Sequence, residues 1–169
     1  KASRSQFLYP VVVLAISTGM RRGEIMGLRW KQVDLANNCL RLSETKNDTS
    51  RSIPLAGLAL TLMVQLSKVR RIDSELVFYG RDKAQAIDLK KPWETALRKA
   101  DIDDFRFHDL RHTAASYLAM NGATTVEIAA VLGHKTLQMV KRYSHLANSH
   151  TAGVVASMNR KIFEQPEGG

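Results

Sequence analysis

The stretch from His108 to Tyr143 constrains this chain most, because it sets three short segments in succession and strings titratable side chains along them. His-Asp-Leu-Arg-His-Thr opens a helix predicted over roughly 108–121, with His108 and Arg111 three positions apart and so on one face. A second amphipathic segment, near 124–133, takes its apolar content from Val126, Ile128, Ala129, Val131 and Leu132. It ends at Gly133, a residue that tolerates the positive φ of a helix terminus, and His134 follows directly. A third segment from Thr136 brings round Met139, Val140 and Tyr143, with Lys135, Lys141 and Arg142 beside them. Two histidines, an arginine and a tyrosine among basic neighbours suit a phosphate site.

Upstream, the hydrophobic period changes twice. Apolar runs and helical spacing predict helices over roughly 5–17, 21–30, 57–69 and 91–100, with Trp93 and Leu97 of the last facing inward. Tyr9 and Tyr117 lie in apolar helical contexts and are expected in the core. Between the second and third helices, Leu40 and Leu42, then Ile53 and Leu55, alternate with polar residues, which predicts strands near 39–44 and 50–55. The polar cluster Thr45 to Ser50 turns the chain between them and carries Lys46 near the hairpin tip. The run Leu76 to Tyr79 suits an edge strand or an extended loop, and near-helical spacing returns over roughly 148–163. The expected fold class is α+β, mostly α-helical with a small antiparallel β-sheet. No repeat or linker divides the chain, so residues 1–169 are expected to form one domain.

Charge narrows the partners. Twenty-five basic residues face sixteen acidic ones, a net +9, which favours a polyanion such as nucleic acid, or an anionic membrane surface. No apolar run is long enough to span a bilayer, the longest candidate being the ten residues Phe7 to Ile16. The single Cys39 excludes an intrachain disulfide and fits a reducing compartment. The chain opens on Lys1 rather than Met, so a further N-terminal domain is expected to precede it in a longer protein.

Three chemistries compete for the same residues. His108 and His112, spaced i and i+4, could chelate zinc, but Asp109 stands where a metalloprotease places its glutamate, and no third ligand is implied. Residues 125–142 could form a helix-turn-helix, with Ala129 and Gly133 at the turn and Val140, Lys141 and Arg142 on a second helix entering the major groove. That reading leaves Arg21, Lys46 and the His108/Arg111 pair without a purpose. The third chemistry is phosphoryl transfer. Thr-Gly-Met-Arg-Arg-Gly-Glu at 18–24, Thr-Lys-Asn at 45–47, His-Asp-Leu-Arg at 108–111, Leu-Gly-His at 132–134 and Arg142-Tyr143 resemble, in order and spacing, the motifs of the tyrosine recombinases, the phage-integrase family. A topoisomerase that also forms a 3′-phosphotyrosine is the alternative enzyme class, disfavoured by the Leu-Gly-His form and the compact length.

The resemblance implies the roles. Arg21 and Arg111 become the two arginines that hold the non-bridging oxygens of a phosphodiester, since planar guanidinium groups grip such oxygens bidentately. Glu24 becomes an acidic residue that orients an arginine rather than reacts. Lys46 becomes the hairpin lysine that protonates the leaving 5′ oxygen. His108 and His134 become donors to the phosphate and proton carriers. Tyr143 becomes the nucleophile, and its phenol must lose a proton as it attacks. Tyr9, Tyr79 and Tyr117 are its rivals by residue type only. No metal and no cofactor is implied, because the phosphotyrosine bond conserves the energy needed for resealing. The implied partner is double-stranded DNA, with a homotetramer formed on paired sites and the 148–169 tail exchanged between protomers. The implied location is the cytoplasm, at the nucleoid of a bacterial or phage-infected cell.

Overall fold

The computed structural model describes residues 5–44, 49–82, 84–133, 136–143 and 148–163, and divides into two compact units, Lys1–Ala114 and Ala115–Gly169. In the first unit, helix α1 (Leu8–Thr18) buries Leu8, Val11, Leu14 and Ala15, the spacing of one apolar face. It stops at Gly19, whose φ of 62° turns the chain left-handed while its N–H returns to the Ala15 carbonyl. Tyr9 is on the opposite face and 58% exposed, contrary to the core position expected of it. Helical periodicity marks an apolar stretch without saying which side of it the core takes.

Helix α2 (Arg22–Met26) is shorter than the predicted 21–30. The reason is non-local. The Leu28 carbonyl accepts from Val77 N–H and the Trp30 N–H donates to Glu75, both at 2.9 Å, so this backbone leaves the helix to pair with the 75–77 segment. A 3₁₀ turn (Trp30–Gln32) follows. The Leu76 to Tyr79 run makes only isolated bridges, Arg29 to Leu76 and Tyr79 to Ala86.

The sheet has three antiparallel strands in the order β1 (Val33–Asp34), β2 (Cys39–Glu44) and β3 (Thr49–Pro54). The two long strands match expectation; the two-residue β1 was not foreseen. Their register sets Leu40 opposite Ile53 and Leu42 opposite Arg51, so these four side chains share one face. Helices α3 (Gly57–Lys68) and α4 (Lys90–Lys99) complete the unit. Trp93 of α4 packs edge-on against Phe107 at 5.4 Å between ring centroids, yet no residue of α4 is fully buried, and Trp93 and Leu97 are half-buried. Leu97, Trp93, Tyr9 and Ile16 line an open apolar groove of about 730 Å³.

Helix α5 (Asp109–Met120) begins in the first unit and ends in the second. Its Ala115 and Ala119 join Ile128, Ala129 and Leu132 of α6 (Thr125–Leu132) in a separate cluster with Val140 and Tyr143. Tyr117, on the outer side of α5, is 58% exposed and so also outside the core. Thr124 and Glu127 cap α6 reciprocally, and Gly133 ends it at φ 66°, as its position in the sequence suggested. Residues 137–139 and 141–143 are 3₁₀ turns rather than an α-helix, which removes the second helix of the helix-turn-helix reading. Helix α7 (Asn148–Phe163) presents Val154, Val155, Met158 and Ile162, each about half exposed.

Candidate active site

Four charged side chains of the first unit gather around the turn after α1. Arg111, on the first turn of α5, is 4% exposed, and its Nη1 donates to the Gly19 carbonyl at 2.5 Å. An L-residue would be strained at the φ of 62° found at Gly19, so glycine is what allows the turn. Arg21 follows two positions later as the N-cap of α2, extended at φ −69° and ψ 149°. One backbone turn therefore positions both arginines that the sequence singled out.

Glu24 holds this arrangement from below. Its Oε2 accepts the Arg21 backbone N–H at 2.7 Å, and its Oε1 accepts Arg21 Nη1 at 2.9 Å. A carboxylate in the first helical turn also meets the positive end of the helix. The same Oε2 accepts Arg51 Nη2, from β3, at 2.8 Å. Arg51 was not singled out in the sequence. The signal was there: Arg51, Ile53 and Leu55 alternate as one row, so an arginine takes an inward place on the apolar face of the sheet. Burying such a charge is costly without a partner, and Glu24 is that partner.

His108 precedes α5 and is exposed, its carbonyl accepting Arg111 N–H at 3.0 Å. Its ring packs edge-to-face on His112, with centroids 5.0 Å apart. In the second unit Tyr143 is 6% exposed within the α5–α6 cluster, and its N–H donates to the Val140 carbonyl at 2.9 Å. Lys46 and His134 lie outside the described residues.

The arrangement can bind an oxyanion at Arg21, which stays 40% exposed while its backbone is fixed by Glu24. The profile of the phage integrase family matches residues 2–150. The chain belongs to the phage integrase family. Among curated members it is similar to the shufflon-specific DNA recombinase of Escherichia coli, 38% identical over 144 residues, covering 85% of this chain and 36% of that one. Among solved structures of the family, the catalytic domain of bacteriophage HP1 integrase superposes with a TM-score of 0.69 at 26% identity, covering 98% of this chain and 89% of that one. The Tn1549 transposon integrase in complex with a circular intermediate DNA reaches a TM-score of 0.73 at 21% identity, covering 82% and 54%, which shows the shared fold. The chain thus spans less than half the length of the first curated integrases it matches. The mostly helical α+β fold with its small antiparallel sheet is that of the integrase catalytic domain, and the family does not favour the topoisomerase or the non-enzymatic reading. Among the described residues no helix is long and apolar enough to cross a membrane.

Proposed function

We propose that this chain is the catalytic part of a site-specific DNA recombinase that cuts and rejoins strands through a 3′-phosphotyrosine. The observation that carries the reading is the tie between Arg111 and the turn leading to Arg21, which groups two guanidinium groups ninety residues apart in sequence. Such a pair stabilises the charge that builds on the non-bridging oxygens of a phosphodiester. The shufflon-specific relative is a DNA recombinase by name, the Tn1549 integrase was solved with DNA, and the net charge of +9 suits the same partner.

The Tyr143 oxygen attacks phosphorus, the bond from phosphorus to the 5′ oxygen breaks, and the protein–DNA bond takes its place. We assign the phenol proton to His108 and the proton gained by the 5′ oxygen to Lys46, with His134 as a further donor to the phosphate. Resealing runs the same steps backward on another 5′ hydroxyl. Two copies on each of two paired sites would give a ring of four, with α7 laid against a neighbour. A cytoplasmic location at the DNA accords with this chemistry.

The test uses the full-length protein and a nicked duplex carrying its native site, from which the cleaved fragment diffuses away. A covalent adduct should accumulate with the wild type and vanish with Tyr143→Phe, while DNA affinity stays close to that of the wild type. Adduct that persists in Tyr143→Phe removes this nucleophile, and adduct lost to a chelator and restored by zinc or magnesium would bring back the metal chemistry.

A further inference from the structure

We infer that Arg51 is a positioning residue for Arg21, acting through Glu24 to keep the charge of Arg21 available to an oxyanion. The inference rests on the phosphoryl-transfer reading above and adds a residue to it. Three observations carry it. Glu24 Oε2 is shared between the Arg21 backbone and Arg51 Nη2, at 2.7 and 2.8 Å. The Arg51 side chain is 15% exposed, so its charge is felt through little water. Arg51 Nε is fully buried and has no hydrogen-bond partner, a cost that a purely structural side chain at this apolar position would avoid.

Arg21 and Glu24 alone would make a neutral pair, and the carboxylate would compete with a phosphate for the Arg21 guanidinium. Arg51 draws on the same Glu24 Oε2, so the negative charge of the carboxylate is divided between two guanidinium groups instead of acting on Arg21 alone. Arg51 also ties β3 to the start of α2, so the strand pair β2–β3 is fixed to the turn bearing Arg21.

The measurement compares wild type, Arg51→Ala, Arg51→Lys and the double variant Arg51→Ala/Glu24→Gln in the full-length protein. Adduct formation is followed at saturating nicked duplex, and binding of inorganic orthovanadate, a phosphate mimic, is followed by calorimetry without DNA. Arg51→Ala should slow adduct formation by about 10–100-fold, the range found for the hydrogen-bond partners that orient metal ligands, with DNA affinity held. Arg51→Lys should recover most of that loss. The double variant should be faster than Arg51→Ala, because the unopposed carboxylate is gone, and should regain orthovanadate affinity. A double variant as slow as Arg51→Ala, or a loss that follows DNA affinity or melting temperature, overturns the inference. If the wild type forms no adduct at all, the recombinase reading falls. The orthovanadate series then decides for Arg51 by itself, equal binding in all four proteins counting against it. Should Arg51→Ala fail to fold, Arg51→Met keeps the stem in the core and carries the same comparison.

Discussion

Arg111 Nη1 grips the Gly19 carbonyl at 2.5 Å across ninety-two positions of sequence, and Arg21 leaves the same turn two residues later. The placement of each arginine is thereby a condition on the other. A defect in the turn should reach both.

Gly19→Ala is the direct probe. A side chain at φ 62° is strained, at about 1–2 kcal/mol for a left-handed residue, which is a modest loss of stability. Cleavage should fall by far more than that strain explains, because both guanidinium groups shift. Melting and adduct formation measured on the same samples separate the two; a cleavage loss that merely follows the melting shift would leave the turn as a structural element only.

Lys46 allows a test of one proton. Lys46→Ala should slow cleavage by roughly 10²–10⁴-fold, the range for a general acid. A duplex with sulfur in place of the 5′ bridging oxygen should restore most of the rate, since a thiolate departs without a proton. Arg111→Ala should gain nothing from sulfur. Failure of the rescue would move the acid to His134 or His108 and leave Lys46 as a DNA contact.

The α6 cap makes a prediction about acid. The Thr124 backbone N–H and hydroxyl both donate to Glu127, at 2.7 and 2.8 Å, and the backbone bond first, then the hydroxyl, holds its carboxyl below the ordinary 4.5. The folded-state value is depressed, so this stabilisation is complete above the unfolded value and is lost as pH falls through the folded one. Thr124→Ala should cost about 0.5–2 kcal/mol near neutrality, and the gap to wild type should narrow in acid. Urea melts at the two pH values give the comparison; a gap that widens in acid would contradict the capping role.

Helix α7 supplies the fourth. Its stripe of Val154, Val155, Met158 and Ile162 is about half exposed, more apolar surface than a free helix face normally shows water. Truncation after Asn148 should weaken pairing of two DNA sites more than binding to one. Equal loss of both, with a lower melting temperature, would mean the helix serves its own protomer.

How much of this could be read beforehand depended on whether the determinant was local. The hairpin was legible because Leu40, Leu42, Ile53 and Leu55 alternate across an obvious turn, and Gly133 marked the end of α6 by its own conformational freedom. The end of α2 was not, since it depends on the 75–77 backbone nearly fifty positions away. Tyr9 and Tyr117 misled because apolar neighbours on a helix do not say which face is wet. In the candidate site, Arg21, Glu24 and Arg111 were visible as motif residues, and the structure groups them. Arg51 escaped because its inward register only matters once β2 lies beside it. Tyr143 and His108 are placed in separate units, while Lys46 and His134 lie outside the described residues.

The bond from Arg111 to Gly19 has one more consequence. The motif that bears Arg21 is synthesised some ninety residues before its partner arrives, and the clamp stays open until α5 docks on the turn. Chain order thus makes the grouping of the two guanidinium groups a product of the completed first unit, since neither Arg21 nor its turn can acquire this tie from the residues made before α5.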